Sequence, residues 1–125
     1  MENLSPNIFV HNIDATISFY NLLGFEKIAS VPETGNYDWV MMANESVTIM
    51  FQTFDSLGNN LPQISRASGG SLLFYIKVKK ITEFFNQLKG KVTVVAELNK
   101  TFYGATEFSI LDNNGYVLTF AEDEN

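Results

Sequence analysis

Cysteine is absent from the chain of 125 residues, which excludes disulfides, thiolate-ligated zinc, iron–sulfur centres and a cysteine nucleophile. Histidine occurs once, at His11. No histidine-rich metal cluster can be built within one chain, and any histidine-based triad has to use that residue. Basic residues are few: eight Lys and Arg against fourteen Asp and Glu leave a net charge of −6. Nucleic acid and anionic membrane surfaces both need a basic face, so neither is expected as the main partner. No apolar run reaches the roughly 18–20 residues of a membrane span. The segment Met1 to Asn7 lacks the basic and apolar regions of a signal peptide, so a cytoplasmic protein is expected. Neither GxGxxG nor a P-loop occurs. What is present points to a folded domain. Hydrophobic residues make up 46% and charged residues 18%, which excludes disorder. A chain of this size buries roughly two thirds of its unfolded surface. Phenylalanine occurs eleven times, beside five Tyr and one Trp. That serves either a core of large side chains or an aromatic-lined cavity.

Residues 7–10 read as a strand. Asp14 is expected to cap a helix whose apolar face is Ile13, Ile17, Tyr20 and Leu23, ending at Gly24. Strands are expected over 25–31, 37–42 and 47–54, separated by turns at 32–36 and 44–46. Residues 55–70, rich in Ser, Gly and Asn, read as a linker. A strand over 71–78 then precedes a second amphipathic helix with Ile81, Phe84, Phe85 and Leu88 on one face, Lys80 or Thr82 near its start and Gly90 at its end. Further strands are expected over 92–98, 106–111 and 116–121, the last two joined by a turn at Asp112-Asn113-Asn114-Gly115. Glu122 to Asn125 read as a solvated acidic tail. The order β-α-β-β-β thus occurs twice, over 1–54 and 71–125. Phe19-Tyr20-Asn21 with Leu23 recurs as Phe84-Phe85-Asn86 with Leu88.

Asp14 through Ile17, Phe19-Tyr20 and Leu23-Gly24-Phe25 stand in the first half. Tyr103-Gly104, Glu107-Phe108 and Asp112-Asn113-Asn114-Gly115-Tyr116 stand in the second. With these residues the chain resembles the vicinal-oxygen-chelate superfamily, which includes glyoxalase I, bleomycin-resistance proteins and extradiol dioxygenases. Asn113 stands where the family signature usually has proline. The resemblance covers nearly the whole chain and is specific for fold rather than activity. It implies an α+β fold in which two β-α-β-β-β modules form a curled mixed sheet around one cleft, and it implies a homodimer.

Metal-dependent members resemble one another in four inward ligands, commonly His, Glu, His and Glu. Counted from the motifs, these fall at Ser5, Met50, Leu73 (Ser71 if the strand slips by two) and Thr119. Such side chains do not make a divalent metal site, so no metal and no cofactor is expected. A shifted register brings in Gln52, while Glu122 is expected on the opposite face from Thr119. His11 lies beyond the first strand, in the turn into the helix.

Strand alternation then names the side chains facing the cleft. Phe9, Thr48, Met50, Gln52, Leu73, Tyr75, Val117, Thr119 and Ala121 share one parity. The repeat pairs Trp39 with Glu107 and Met41 with Ser109, and sends Phe108, Ile110, Leu118 and Phe120 under the helices. Trp39 reads as core or as a ligand contact. Met41 and Met50 read as core fillers or as a pliable wall. The hydroxyls of Tyr75 and Tyr103 reach backbone or ligand, and Gln52 bonds neighbouring backbone or ligand. Glu107 interrupts an apolar strand. It is either a solvated or Lys-paired edge carboxylate, or a cleft group that recognises a cationic or hydrogen-bonding ligand or acts as a general base.

The expected function is metal-free binding of a small organic molecule, sequestering an antibiotic or similar compound, with no catalytic residue. The expected ligand-binding residues are Phe9, Trp39, Met41, Met50, Gln52, Tyr75, Tyr103, Glu107 and Thr119. The alternatives are a metal-dependent lyase, isomerase or dioxygenase like glyoxalase I, with a displaced metal site, and a scaffold whose cleft is closed by Phe and Met.

Overall fold

The computed structural model describes residues 1–124. They fall into two compact units, which divide between Ala67 and Ser68. In the first, β1 (Asn7–Val10) leads into α1 (Ile13–Leu22), followed by β2 (Glu26–Val31), β3 (Trp39–Asn44), β4 (Val47–Thr53) and the short α2 (Phe54–Leu57). The sheet order is β1-β4-β3-β2, with β1 parallel to β4 and the other pairs antiparallel. In the second unit, β5 (Leu73–Lys77) is followed by α3 (Ile81–Leu88), β6 (Thr93–Lys100), β7 (Ala105–Leu111) and β8 (Val117–Asp123). Its order, β5-β8-β7-β6, repeats the first with the same strand directions. The fold is therefore α+β, in two modules of one mixed four-stranded sheet each. The register repeats as well: Met41 opposes Met50 as Ser109 opposes Thr119, and Trp39 opposes Gln52 as Glu107 opposes Ala121.

Alternation sorts each sheet into a helix-covered face and an opposite face. In the first unit Ile8, Val10, Val40, Met42, Ile49 and Phe51 are buried beside Tyr20 and Phe25. The Tyr20 ring meets Phe51 at 4.8 Å and Phe25 edge-on at 5.6 Å. In the second, Phe108, Ile110, Leu118 and Phe120 pack under α3, as alternation requires. Phe84 meets Phe120 edge-on at 4.9 Å, and Phe85 meets Phe108 at 5.1 Å. Helix α1 buries Thr16 rather than Ile17, because the Thr16 hydroxyl donates to the Asn12 carbonyl at 3.0 Å and so brings no unsatisfied polar atom inside.

Three local expectations are corrected. Asn12, not Asp14, caps α1: its side chain accepts from the Ala15 N–H at 3.0 Å, and Asp14 sits in the first turn. Strand β4 stops at Thr53, whose hydroxyl caps α2, so helix enters the segment read as linker. The rest of that segment is gathered by Arg66, whose guanidinium donates to the carbonyls of Gly58, Asn60, Leu61 and Ile64. Glu122 is no part of a free tail. Its carboxylate accepts from the N–H groups of Lys80 and Ile81 at 3.0 and 3.2 Å, closing the start of α3. Among the described residues, no helix is long and apolar enough to cross a membrane.

Candidate ligand-binding site

In the second unit the sheet face away from α3 brings together three of the expected residues. Parallel pairing of β5 with β8 sets Tyr75 opposite Thr119, and antiparallel pairing of β7 with β8 sets Ser109 on the other side of Thr119. Glu107 lies one step along β7, opposite Ala121. Ala121 places only a methyl group on β8 between β5 and β7, so the long phenol of Tyr75 can cross β8 to the carboxylate. Its hydroxyl donates to Glu107 Oε2 at 2.5 Å. Tyr103 arrives from the loop before β7. That loop is pinned where the Ala105 N–H donates to the Thr101 hydroxyl at 3.1 Å and the Thr101 N–H donates to the Ala105 carbonyl at 2.8 Å. The Tyr103 hydroxyl then donates to the same Oε2 at 2.7 Å.

This arrangement sets the acid–base behaviour of both phenols. Tyr75 is pushed well above the ordinary phenol range, first because ionisation would break its hydrogen bond to Glu107, then through desolvation and repulsion from that carboxylate. Tyr103 is raised by the same leading cause. Both therefore remain protonated donors at neutral pH. Glu107 is neither a Lys-paired nor a plain solvated carboxylate, and the two hydroxyls reach neither backbone nor solvent alone. Thr119 is buried, and its Oγ1 lies 2.7 Å from Ser109 Oγ, so its hydroxyl is already engaged.

In the first unit the corresponding face carries the other expected residues in two neighbouring rows. Phe9, Gln52 and Trp39 form one row and Asn7, Met50 and Met41 the next. Trp39, Met41, Met50, Gln52 and Phe9 are all partly exposed, whereas Val40, Met42, Ile49 and Phe51 on the alternate positions are buried. Gln52 bonds a side chain rather than backbone: Asn7 Nδ2 donates to Gln52 Oε1 at 3.0 Å. Asn7 Oδ1 is buried without a hydrogen-bond partner. His11 is exposed and its ring lies 4.4 Å from that of Phe54. A shallow groove elsewhere on this unit, along β2, is lined by Lys27, Ile28, Ala29, Ser30 and Glu33, none of them an expected site residue.

The residues do not fit a metal. Ser5 precedes β1, and the strand partner of Met50 is Asn7 rather than Ser5. Thr119 faces Tyr75 and not Leu73, which pairs with Val117. Neither the amide and thioether of the first unit nor, in the second, a phenol committed to Glu107 and a hydroxyl committed to Ser109 form a donor set for a hard or borderline cation. Among the described residues no group of three or more His, Cys, Asp and Glu is placed to hold one.

Sequence reasoning missed Asn7 and Asn99. The signal for Asn7 was its shared parity with Phe9. Asn99 donates to the Glu97 carbonyl at 2.8 Å and the Glu107 carbonyl at 3.4 Å, across an irregular β6–β7 register that the sequence does not announce.

A family model described as the Glyoxalase/Bleomycin resistance protein/Dioxygenase superfamily matches residues 4–120. No curated protein matches the chain. Among solved structures, TioX from Micromonospora sp. ML1 is similar at 14% identity and a TM-score of 0.77, covering 98% of this chain and 99% of its own. A family enzyme from Burkholderia phytofirmans PsJN is similar at 21% identity and a TM-score of 0.78, covering 95% and 96%. The bleomycin resistance determinant encoded on transposon Tn5 is similar at 18% identity and a TM-score of 0.68, covering 100% of both chains. At these identities the likeness is one of fold.

Proposed function

The chain belongs to the Glyoxalase/Bleomycin resistance protein/Dioxygenase superfamily, and from that premise we propose that it is a metal-free binding protein for a small, partly apolar organic molecule. It acts by holding its ligand, so it needs no catalytic residue. The observation that carries this reading is the chemistry of the side chains facing away from the helices, which among the described residues offer no metal-ligand set in either unit. They include Asn7 and Met50 in the first unit and Tyr75 and Thr119 in the second, three of the four already hydrogen-bonded to neighbours. Phe9, Trp39, Met41, Met50 and Gln52 in the first unit, and separately the Tyr75–Glu107–Tyr103 cluster in the second, each suit an organic ligand that needs apolar area and a few fixed polar contacts. Sequestration of an antibiotic is one form of this activity; the Tn5 protein is named for such resistance. A cytoplasmic homodimer belongs to the same reading, and light scattering on the purified chain is expected to give twice the 14.1 kDa chain mass.

The test is elemental analysis of protein purified without added metal or chelator, repeated after incubation with nickel, zinc, manganese and iron(II), followed by thermal-shift screening of small organic compounds. No stoichiometric metal is expected. A true ligand at about 100 times its Kd is expected to stabilise the fold by about 2.7 kcal/mol. Stoichiometric metal that raises the melting temperature would overturn the reading in favour of a metal-dependent enzyme.

A further inference from the structure

The Tyr75–Glu107–Tyr103 cluster has chemistry left over after its internal hydrogen bonds are counted. Both phenols donate to one oxygen, Oε2. Oε1 accepts from no described residue. The described ion pairs join Lys77 to Asp123 and Lys100 to Glu124, and none reaches Glu107. The charge of this carboxylate is therefore met by neutral donors alone. The rings around it face solvent: Tyr75 is 46% exposed, Tyr103 57% and Phe102 99%, with Phe102 edge-on to Tyr103 at 5.0 Å. Aromatic faces attract cations, and the Tyr75 ring already has one, Lys77 Nζ at 5.3 Å from its centroid. A carboxylate with an open acceptor, bordered by exposed rings on a chain of net charge −6, disfavours an anionic ligand and favours a cationic one.

We propose that this cluster binds an organic ammonium ion, a primary or secondary amine carrying an apolar substituent. The ammonium N–H donates to Glu107 Oε1, its charge lies against the Tyr75 and Tyr103 rings, and the apolar part covers Phe102. This inference rests on the small-molecule-binding reading and gives that reading a ligand class. The two phenols act as positioning groups. By occupying Oε2 they fix the carboxylate and leave Oε1 for the ligand. A charge-assisted hydrogen bond is about twice as strong as a neutral one, so a neutral isostere of the same shape loses both that gain and the ring attraction.

The test titrates the full chain with benzylammonium and with benzyl alcohol, reading heat by calorimetry and backbone amide shifts by NMR. Benzylammonium is expected to bind at least roughly tenfold more tightly than the alcohol, with the largest shifts at Tyr75, Phe102, Tyr103 and Glu107. Glu107→Gln, which keeps the acceptor shape and removes the charge, is expected to abolish the preference, with folding checked by circular dichroism. If that variant does not fold, the wild-type comparison of the two probes and the location of the shifted amides decide. Equal affinity for the two probes, shifts elsewhere on the chain, or a preference that survives in Glu107→Gln would each overturn the proposal. Neutral compounds that raise the melting temperature while ammonium probes do nothing would overturn the ammonium site and leave the binding reading standing. Stoichiometric metal with no organic ligand would overturn both.

Discussion

Glu107 gathers two phenols onto one oxygen, and its loss has a spectroscopic signature. In an ultraviolet titration of the wild-type chain, Tyr75 and Tyr103 are expected to ionise later than an ordinary phenol near pH 10, and Tyr116 is also raised, by burial and then by Asp112. Glu107→Gln is expected to bring the first two back towards 10 and leave Tyr116 where it is; an unchanged titration would mean that the cluster does not form in solution. The same shifts bear on stability. A phenol whose folded-state pKa is raised stabilises the fold in full below the ordinary value, and that contribution is lost as the pH rises through the elevated one. Denaturant stability is therefore expected to fall on the alkaline side of pH 10, less steeply in Tyr75→Phe. Glu107 stands out in the sequence because it breaks an apolar run. Tyr75 and Tyr103 also stand out, but not as partners of Glu107: Tyr75 lies 32 residues away and reaches it only through the β5–β8–β7 order.

The elements depend on end groups that local pattern identifies unevenly. Helix α3 is preceded by Lys80, which has a left-handed backbone (φ 55) and no side-chain cap of its own. The missing acceptor comes from Glu122, 42 residues downstream on β8. Losing an N-terminal cap costs about 0.5–2 kcal/mol. Glu122→Ala is expected to fall in that range by urea unfolding, and Thr82→Ala, which touches neither N–H, close to zero. At α1 the equivalent contrast is Asn12→Ala, about 1 kcal/mol, against a smaller effect for Asp14→Ala. The helices, the turns at Gly24 and Asp112, and the faces of β1, β3, β4, β5, β7 and β8 were legible because each depends on periodicity or on a residue within four positions. The α3 cap, the Asn7–Gln52 pair and the hidden order in 54–66 were not, because each depends on chain segments that tertiary pairing brings together or on one arginine collecting carbonyls.

At the scale of the molecule, the same topology is built twice with different chemistry on the faces away from the helices. Where the first unit has Trp39, Met41, Met50 and Gln52, the second has Glu107, Ser109, Thr119 and Ala121 in the same register. The helix-covered faces remain alike and apolar. Phe108→Ala, at a fully buried position, is expected to cost about 3–5 kcal/mol on calorimetric melting. The chain's net charge of −6 leads to the expectation that duplex DNA shows no mobility shift at physiological salt; a retained complex would reveal a basic face that the totals conceal. One edge strand of each sheet also shares a feature with its counterpart. Both β2 and β6, each at the edge of its own sheet, pair with an interrupted register, at Lys27/Ala29 in one and across 94–99 in the other. Each leaves valine or isoleucine in the open: Ile28 and Val31 on β2, Val95 on β6. A straight edge with these side chains would offer a template for another chain to extend, whereas a kinked one breaks the row of donors and acceptors that such growth needs. The irregular pairing that loosens these strands locally thus interrupts such a template along one edge of each sheet, once in each half of the repeat.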